Sequence, residues 1–420
     1  MKDLLSKGSI PILLGTGGVG KTTIAAALAL AGASAGLNTA VITVDPSERL
    51  RDALGLARLG GQPTRIGARQ LAAAGLDSQL QLSAMMLDVS GSWDAIIERF
   101  VADPSTRRAI FDNPFYKSLT AEFAGSEAFA ALQRLYDLHQ TGAFELEVVD
   151  TPPASHSFEF LQTPARMIRL LDSRTARWLF TPSLSAGRIA MKVASEAARF
   201  VVREIERFAG SNVLSTISDF FAAMADSMDA IVDRLHKTEA LLHSPAVKFV
   251  MVTTAEPDRI RQARELLAQM DAEGLKLTAI VINRFLDERT FRETARVARE
   301  SSAIADSAGR PLSHLAEISE LRAWMAKDGA EANGIGRLVD HLEEYRDRTL
   351  DEIARVVEFA RGLPSGVKLA IAPEIEAGVR DLAALSRVAG YVRSGTAILK
   401  PLEAAARTLS PGTSKQETES

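Results

Sequence analysis

Nine consecutive residues, Gly15-Thr16-Gly17-Gly18-Val19-Gly20-Lys21-Thr22-Thr23, carry the most specific chemistry in the chain. They follow the spacing glycine, four residues, then Gly-Lys-Thr, with which a loop wraps a polyphosphate. Gly17, Gly18, Val19 and Gly20 let the backbone come close to phosphate oxygens with its N–H groups turned inward. Lys21 brings a full positive charge to the β- and γ-phosphates. The Thr22 hydroxyl is placed to ligate Mg²⁺, and Thr23 extends the phosphate-contacting set. Such a loop works only between a strand and a helix. Ile10 to Leu14 is a short apolar run that reads as the strand, and an alanine-rich segment after Thr23 reads as the helix. The helix start adds its partial positive charge to the site. The chemistry implied is the binding of a nucleoside triphosphate with Mg²⁺.

Two acids stand where such a site needs them. The β-branched run Thr39 to Val44 ends in Asp45-Pro46, and Phe144 to Val149 ends in Asp150. An acid at the carboxyl end of a parallel strand shares a sheet edge with the phosphate loop. Asp45 has two open readings: a carboxylate that orients water or serves the metal, and a helix N-cap. Asp150 is read as the carboxylate that holds Mg²⁺ through water. His156, beyond the turn Thr151-Pro152-Pro153, is read as a capping or packing histidine in preference to a sensor of the γ-phosphate.

The remaining elements are those of a large α/β protein. Further apolar strands are expected at Gln81–Leu87, Val247–Thr254, Leu277–Asn283 and Gly366–Ala372, with helices between them. The pattern predicts a doubly wound, mostly parallel sheet of the P-loop NTPase type, of about six strands. Ser92 to His139 reads as helical, broken near Asp103-Pro104 and Asn113-Pro114. Thr163 to His243 is a longer helical stretch, rich in Met and Phe, and reads as an insertion. Two readings of it are open: packing against the sheet or a partner, and a groove for an apolar ligand. The domain organisation expected is residues 1–162 as the first part of the core, 163–245 as the helical insertion, 246–400 as the second part, and 401–420 as a disordered tail rich in Ala, Ser, Thr, Pro and Glu.

Composition narrows the classes. With 420 residues, 46% of them hydrophobic, the chain can bury a sizeable core. A net charge of −4 argues against nucleic acid as an obligatory partner. The absence of cysteine excludes disulfides, thiolate metal sites and a thiol nucleophile, and fits a cytoplasmic location. No secretory signal is visible at Met1–Gly8. The uncharged run Thr22–Val44 is long enough to span a bilayer, but it starts inside the phosphate loop and is read as a buried helix, a turn and a strand.

In their order these motifs resemble the arsenite-pump/tail-anchored-protein-targeting ATPases, a family of dimeric P-loop ATPases, from about Ile10 to Val392. The resemblance implies ATP as the nucleotide, Lys21 and Asp45 as catalytic residues, and Asp45 as the residue that positions the attacking water. Asp150-Thr-Pro-Pro-Ala-Ser-His156, continuing to Pro164, is similar to the family's second switch. Asn283 matches its adenine-contacting asparagine, and Ala372-Pro373-Glu374 its loop over the base. The helical insertion corresponds to the part that holds a hydrophobic client helix. Three departures stand out. Thr16 occupies the place of a family lysine that reaches the partner subunit's phosphates, Glu48 and Arg49 replace other residues of the first switch, and no cysteine exists to bind arsenite or an inter-subunit zinc. The function implied is a dimeric switch ATPase, a homodimer or a heterodimer with a paralogue, that couples nucleotide state to a hydrophobic client or partner protein. The alternatives are a partition-type positioning ATPase and a weakly active nucleotide-binding subunit paired with an active paralogue.

Overall fold

The structure is a computed structural model. It describes residues 2–44, 48–87, 92–117, 126–151, 161–162, 164–165, 168, 212–288, 335–376 and 378–394. The chain divides into two compact units: Met1–Met86, Phe144–Ala154 and Lys248–Ser420 form one, Leu87–Ala143 and Ser155–Val247 the other. The sequence reading had kept residues 92–139 with the sheet; by contacts they belong to the helical unit.

The first unit is built on eight strands: β1 (Ile10–Leu14), β2 (Thr39–Thr43), β3 (Thr64–Arg65), β4 (Leu82–Met86), β5 (Leu146–Asp150), β6 (Val247–Thr253), β7 (Leu277–Ile282) and β8 (Lys368–Ile371). Their spatial order is β3-β4-β2-β5-β1-β6-β7-β8. β4, β2, β5 and β1 pair in parallel, as do β6, β7 and β8, and β3 joins β4 antiparallel. About six strands were expected. The short edge strand β3 was missed because two residues carry no readable alternation. Strands β1, β2 and β5 are buried along their whole length. That is the signature of a parallel sheet covered on both faces, and it is why they read as unbroken apolar runs.

The helices are numbered along the described residues. Helix α1 (Lys21–Ser34) is buried from Ile24 through Ala33. It has no polar face because it packs against the sheet on one side and the last helix, α10 (Leu382–Ser394), on another. Helix α2 (Arg49–Ala53) and helix α3 (Ala68–Ala73) lie in sequence between β2 and β4. Helices α8 (Pro257–Ala272) and α9 (Ile335–Arg361) complete the described layers of this unit.

The second unit contains α4 (Ser92–Phe100), α5 (Pro104–Asp112), α6 (Ser126–Thr141) and α7 (Asn212–Leu242). The breaks fall where proline and its neighbours put them. Asp103 caps α5, accepting from the Thr106 N–H at 2.8 Å, with Pro104 as its first residue. The core of this unit gathers Ile97, Val101, Ile110 and Tyr116 around Phe220, Met224, Met228, Ile231 and Leu235 of α7. The Phe220 ring stacks on Tyr116 with centroids 6.0 Å apart and meets Phe115 edge-on at 5.4 Å. For Phe220, Met224 and Met228 this decides between the two readings of the insertion: they are core, not an open groove. The insertion's aromatic residues from Trp178 to Phe208, and the expected tail, lie outside the described residues. No helix among the described residues is long and apolar enough to cross a membrane.

Candidate functional site

The parallel register brings distant residues to one edge of the sheet. Asp150, the last residue of β5, pairs with Leu13 of β1 on one side and Thr43 of β2 on the other. Its carboxylate is almost fully buried. The Thr22 hydroxyl donates to Asp150 Oδ2 at 2.7 Å, and the Thr43 hydroxyl to the same oxygen at 3.2 Å. Thr22 is the second residue of α1 and 128 residues from Asp150 in sequence. The phosphate loop and the strand-end acid are thus joined side chain to side chain.

The loop is held by close approaches. Gly15 has φ +151°, and a Cβ there would lie 2.2 Å from the Val252 carbonyl oxygen of β6. Gly20, in the left-handed region at φ +89°, leaves room for Asn283, whose amide nitrogen would stand 2.3 Å from an added Cβ. That nitrogen donates to the Val19 carbonyl at 2.8 Å. Lys21 is buried, and its Nζ donates to the Gly15 carbonyl at 2.8 Å and the Thr16 carbonyl at 3.3 Å. Its charge stays within the loop, a short swing from any phosphate held there. The Thr16 hydroxyl oxygen is shielded from solvent and has no hydrogen-bond partner among the described residues.

A cleft of about 730 Å³ opens over the loop. Gly17, Gly18, Gly20, Lys21, Thr22 and Thr23 line it, and so do Arg49, Asp52 and Ala53 from one face of α2. Thr151, Arg284, Val379 and Arg380 complete the lining. The volume is that of a small-molecule site. Six of the residues picked from sequence therefore sit together, with Asp150 bonded to them from beneath. Asn283 and Pro373 are buried but are not part of the lining. Asn283 braces the loop, and the loop after β8 reaches the cleft through Val379 and Arg380. Asp45 and His156 lie outside the described residues. The sequence reading passed over Asp52, Thr151, Arg284 and Arg380. Signals existed: Asp52 lies three residues after Arg49, one helical turn, and Arg284 directly follows a strand-end asparagine.

The donor set can be tested against a divalent metal. No cluster of three or more His, Cys, Asp or Glu that could hold a metal exists among the described residues. A dedicated protein cage is therefore not what these residues form. One hydroxyl and one carboxylate beside a phosphate cleft suit Mg²⁺, a hard cation that takes few protein oxygens and fills its octahedron with phosphate and water. The residues present fit that ion.

Comparison with known proteins now bears on this geometry. The sequence model of the anion-transporting ATPases matches residues 10–304, more than half of the chain. The chain belongs to the anion-transporting ATPase family. Among its relatives in that family, a protein of Prosthecochloris vibrioformis provisionally named an arsenical pump-driving ATPase is 25% identical over 284 residues, 65% of this chain and 60% of its own length. The ATPase GET3 of Malassezia globosa is 24% identical over 290 residues, 68% of this chain and 76% of its own. A further pump-driving relative, from Halobacterium salinarum, is 30% identical over 158 residues, 38% of this chain and 24% of its own. The chain thus spans from about a quarter to three fifths of the length of these pump-driving relatives. The family match stops short of the Pro373 loop, whose assignment to the base rests on the resemblance in sequence alone.

Proposed function

We propose that the chain hydrolyses Mg-ATP in the cleft over Gly17–Thr23 and acts as a dimeric switch. In this reading its nucleotide state governs the binding of a hydrophobic client or partner protein by the helical unit, in the cytoplasm. The observation that carries the nucleotide part is the hydrogen bond from Thr22 to Asp150, which joins the phosphate loop to a buried strand-end acid beside a cleft of ligand size.

The residues divide the work. Main-chain N–H groups of Gly17 to Gly20 and the start of α1 face the phosphates, and Lys21 exchanges its loop carbonyls for phosphate oxygens. Thr22 and Asp150 would hold Mg²⁺, which would supply positive charge to offset that of the triphosphate. Asp45 orients the attacking water. Asn283 and Pro373 serve the adenine side, Asn283 with the amide that now holds Val19. Residues 163–245, as the client-binding part of the helical unit, belong to this proposal. Phe220, Met224 and Met228 then form the frame beneath such a surface and do not contact the client.

The ATPase names of the relatives and the family membership support hydrolysis. The cysteine-free composition speaks against arsenite as the ligand, since its capture relies on thiolates. Thr16 favours one second reading, a slow subunit that pairs with an active paralogue, because a neutral side chain with a shielded hydroxyl delivers no charge across a dimer. Turnover of the purified chain with Mg-ATP, with EDTA as the control, tests the chemistry. Mass in solution with and without a non-hydrolysable ATP analogue, alone and with a membrane-protein helix, tests the switch. A monomer that stays a monomer in every nucleotide state sinks the dimeric reading.

A further inference from the structure

We propose that Arg49 supplies, from the same chain, the second phosphate-directed cation of the site. The reading rests on ATP as the ligand of the cleft. A metal dication and one lysine leave part of a triphosphate's charge uncompensated. The loop offers nothing more, since Thr16 is neutral and its oxygen is shielded. Three arginines line the cleft, Arg49, Arg284 and Arg380, and none has a side-chain hydrogen bond or ion pair among the described residues. The sheet order separates them. Arg284 follows β7 and Arg380 precedes α10, both on the β7–β8 side of β1. Arg49 follows β2, which pairs with β5, the strand that ends in Asp150. Arg49 is therefore on the Asp150 side of the cleft, whose lining it shares with Thr22.

The neighbourhood keeps that charge available. Arg51 takes up both nearby acids, pairing with Glu48 and Asp52 and donating to the Asp52 carboxylate at 2.8 Å. Arg49, first residue of α2 and exposed, is left with none. Its neighbours on the cleft face are Asp52 and Ala53, one turn on, the acid already bridged and the other side chain a methyl group. Lys7, just before β1, is unsuited. It is 77% exposed and pairs with Glu145 at 2.8 Å, just before the start of β5, at the edge opposite the cleft.

In hydrolysis the water oxygen bonds to the γ-phosphorus while its bond to the bridging oxygen breaks. That oxygen leaves on ADP with the electron pair, and the proton lost by the water ends on the released phosphate or in solvent. Charge grows on the γ-oxygens and the bridging oxygen, and a planar, permanently charged fork is suited to both.

The test compares Arg49→Ala and Arg49→Lys with wild type, and with Arg264→Ala as a charge control outside the cleft. Turnover in Arg49→Ala should fall about 10³-fold, the low end of what an arginine at this chemistry supplies, with Arg49→Lys recovering part. Calorimetry gives a readout independent of turnover. Wild type should prefer ATP to ADP by about tenfold, the worth of one charge-assisted hydrogen bond, and Arg49→Ala should lose that preference while its ADP affinity and melting temperature stay put. Unchanged turnover and unchanged ATP preference in Arg49→Ala overturn the proposal. So does an equal loss of ATP and ADP affinity with a lower melting temperature, which marks a structural role. Lys21→Ala separates the two levels: if it binds ATP as wild type does, the nucleotide reading itself fails.

Discussion

The two units hold their cations differently. Where α6 meets α7 in the helical unit, polar groups close on one another. Gln133 of α6 donates to Thr238 of α7 at 3.1 Å, and Arg234 reaches Asp137 at 2.6 Å while lying over the Tyr136 ring. Every charge in that clasp has its partner inside the protein. In the sheet unit, Lys21 is folded onto loop carbonyls, and three arginines face a cleft without partners among the described residues. Satisfied polar groups fix a frame; cations left open toward a concavity wait for an anion. Three such cations around one cleft, with Lys21 beneath them, are what set the sheet unit apart.

The strongest way to break the comparison is to damage the frame alone. Phe220→Ala removes a ring packed against Phe115, Tyr116 and Phe221 and should cost about 3–5 kcal/mol of the helical unit's stability. Nucleotide affinity should survive, with a separate melting transition appearing. Loss of ATP binding in the same variant would show that the units unfold as one.

Lys21→Ala attacks the other side. It should weaken ATP binding about a hundredfold with little change in the melt of the apo protein, read by calorimetry and thermal scanning. Next in size, Asp150→Asn keeps the shape but removes the charge near Thr22. Mg²⁺ should raise ATP affinity in the wild type and do so about tenfold less in the variant. An unaltered Mg²⁺ response would move the metal elsewhere.

The smallest effect sharpens the account of the helical unit. Hydrogen bonds from Ser105 and then Thr106 hold the Asp103 carboxyl well below its ordinary value of 3.8. A depressed pKa means that the cap contributes fully above that ordinary value and fades as pH falls below it. Asp103→Ala should therefore melt slightly earlier than wild type at neutral pH, and the gap should close in acid. A gap that persists unchanged well below pH 3.8 would show that the carboxylate is not what stabilises the cap.

Much of the sheet was legible because parallel strands buried on both faces are written as short apolar runs, and the acids that end them are visible at a glance. The phosphate loop was legible because its glycines serve contacts as close as Val252 to Gly15. What stayed hidden depends on register. Nothing in the sequence says that Thr22 and Thr43 converge on one oxygen of Asp150, or that Asn283 turns its amide onto Val19. Arg284 and Arg380 were passed over for the same reason: a lone arginine in a loop carries no periodicity, and only the assembled sheet brings it to the cleft. The Met and Phe run of α7 was ambiguous because core and groove share one composition, and only burial tells them apart.

The bond from Asn283 to Val19 spans 264 residues of sequence. During synthesis the loop leaves the ribosome first, and the partners that shape it, Val252 and Asn283, follow only after the whole helical unit has been made. A nascent chain that ends before β7 therefore carries the nucleotide motif without the clasp that sets its form. The form of the loop is therefore set by residues from both halves of the sheet, Val252 of β6 and Asn283 after β7.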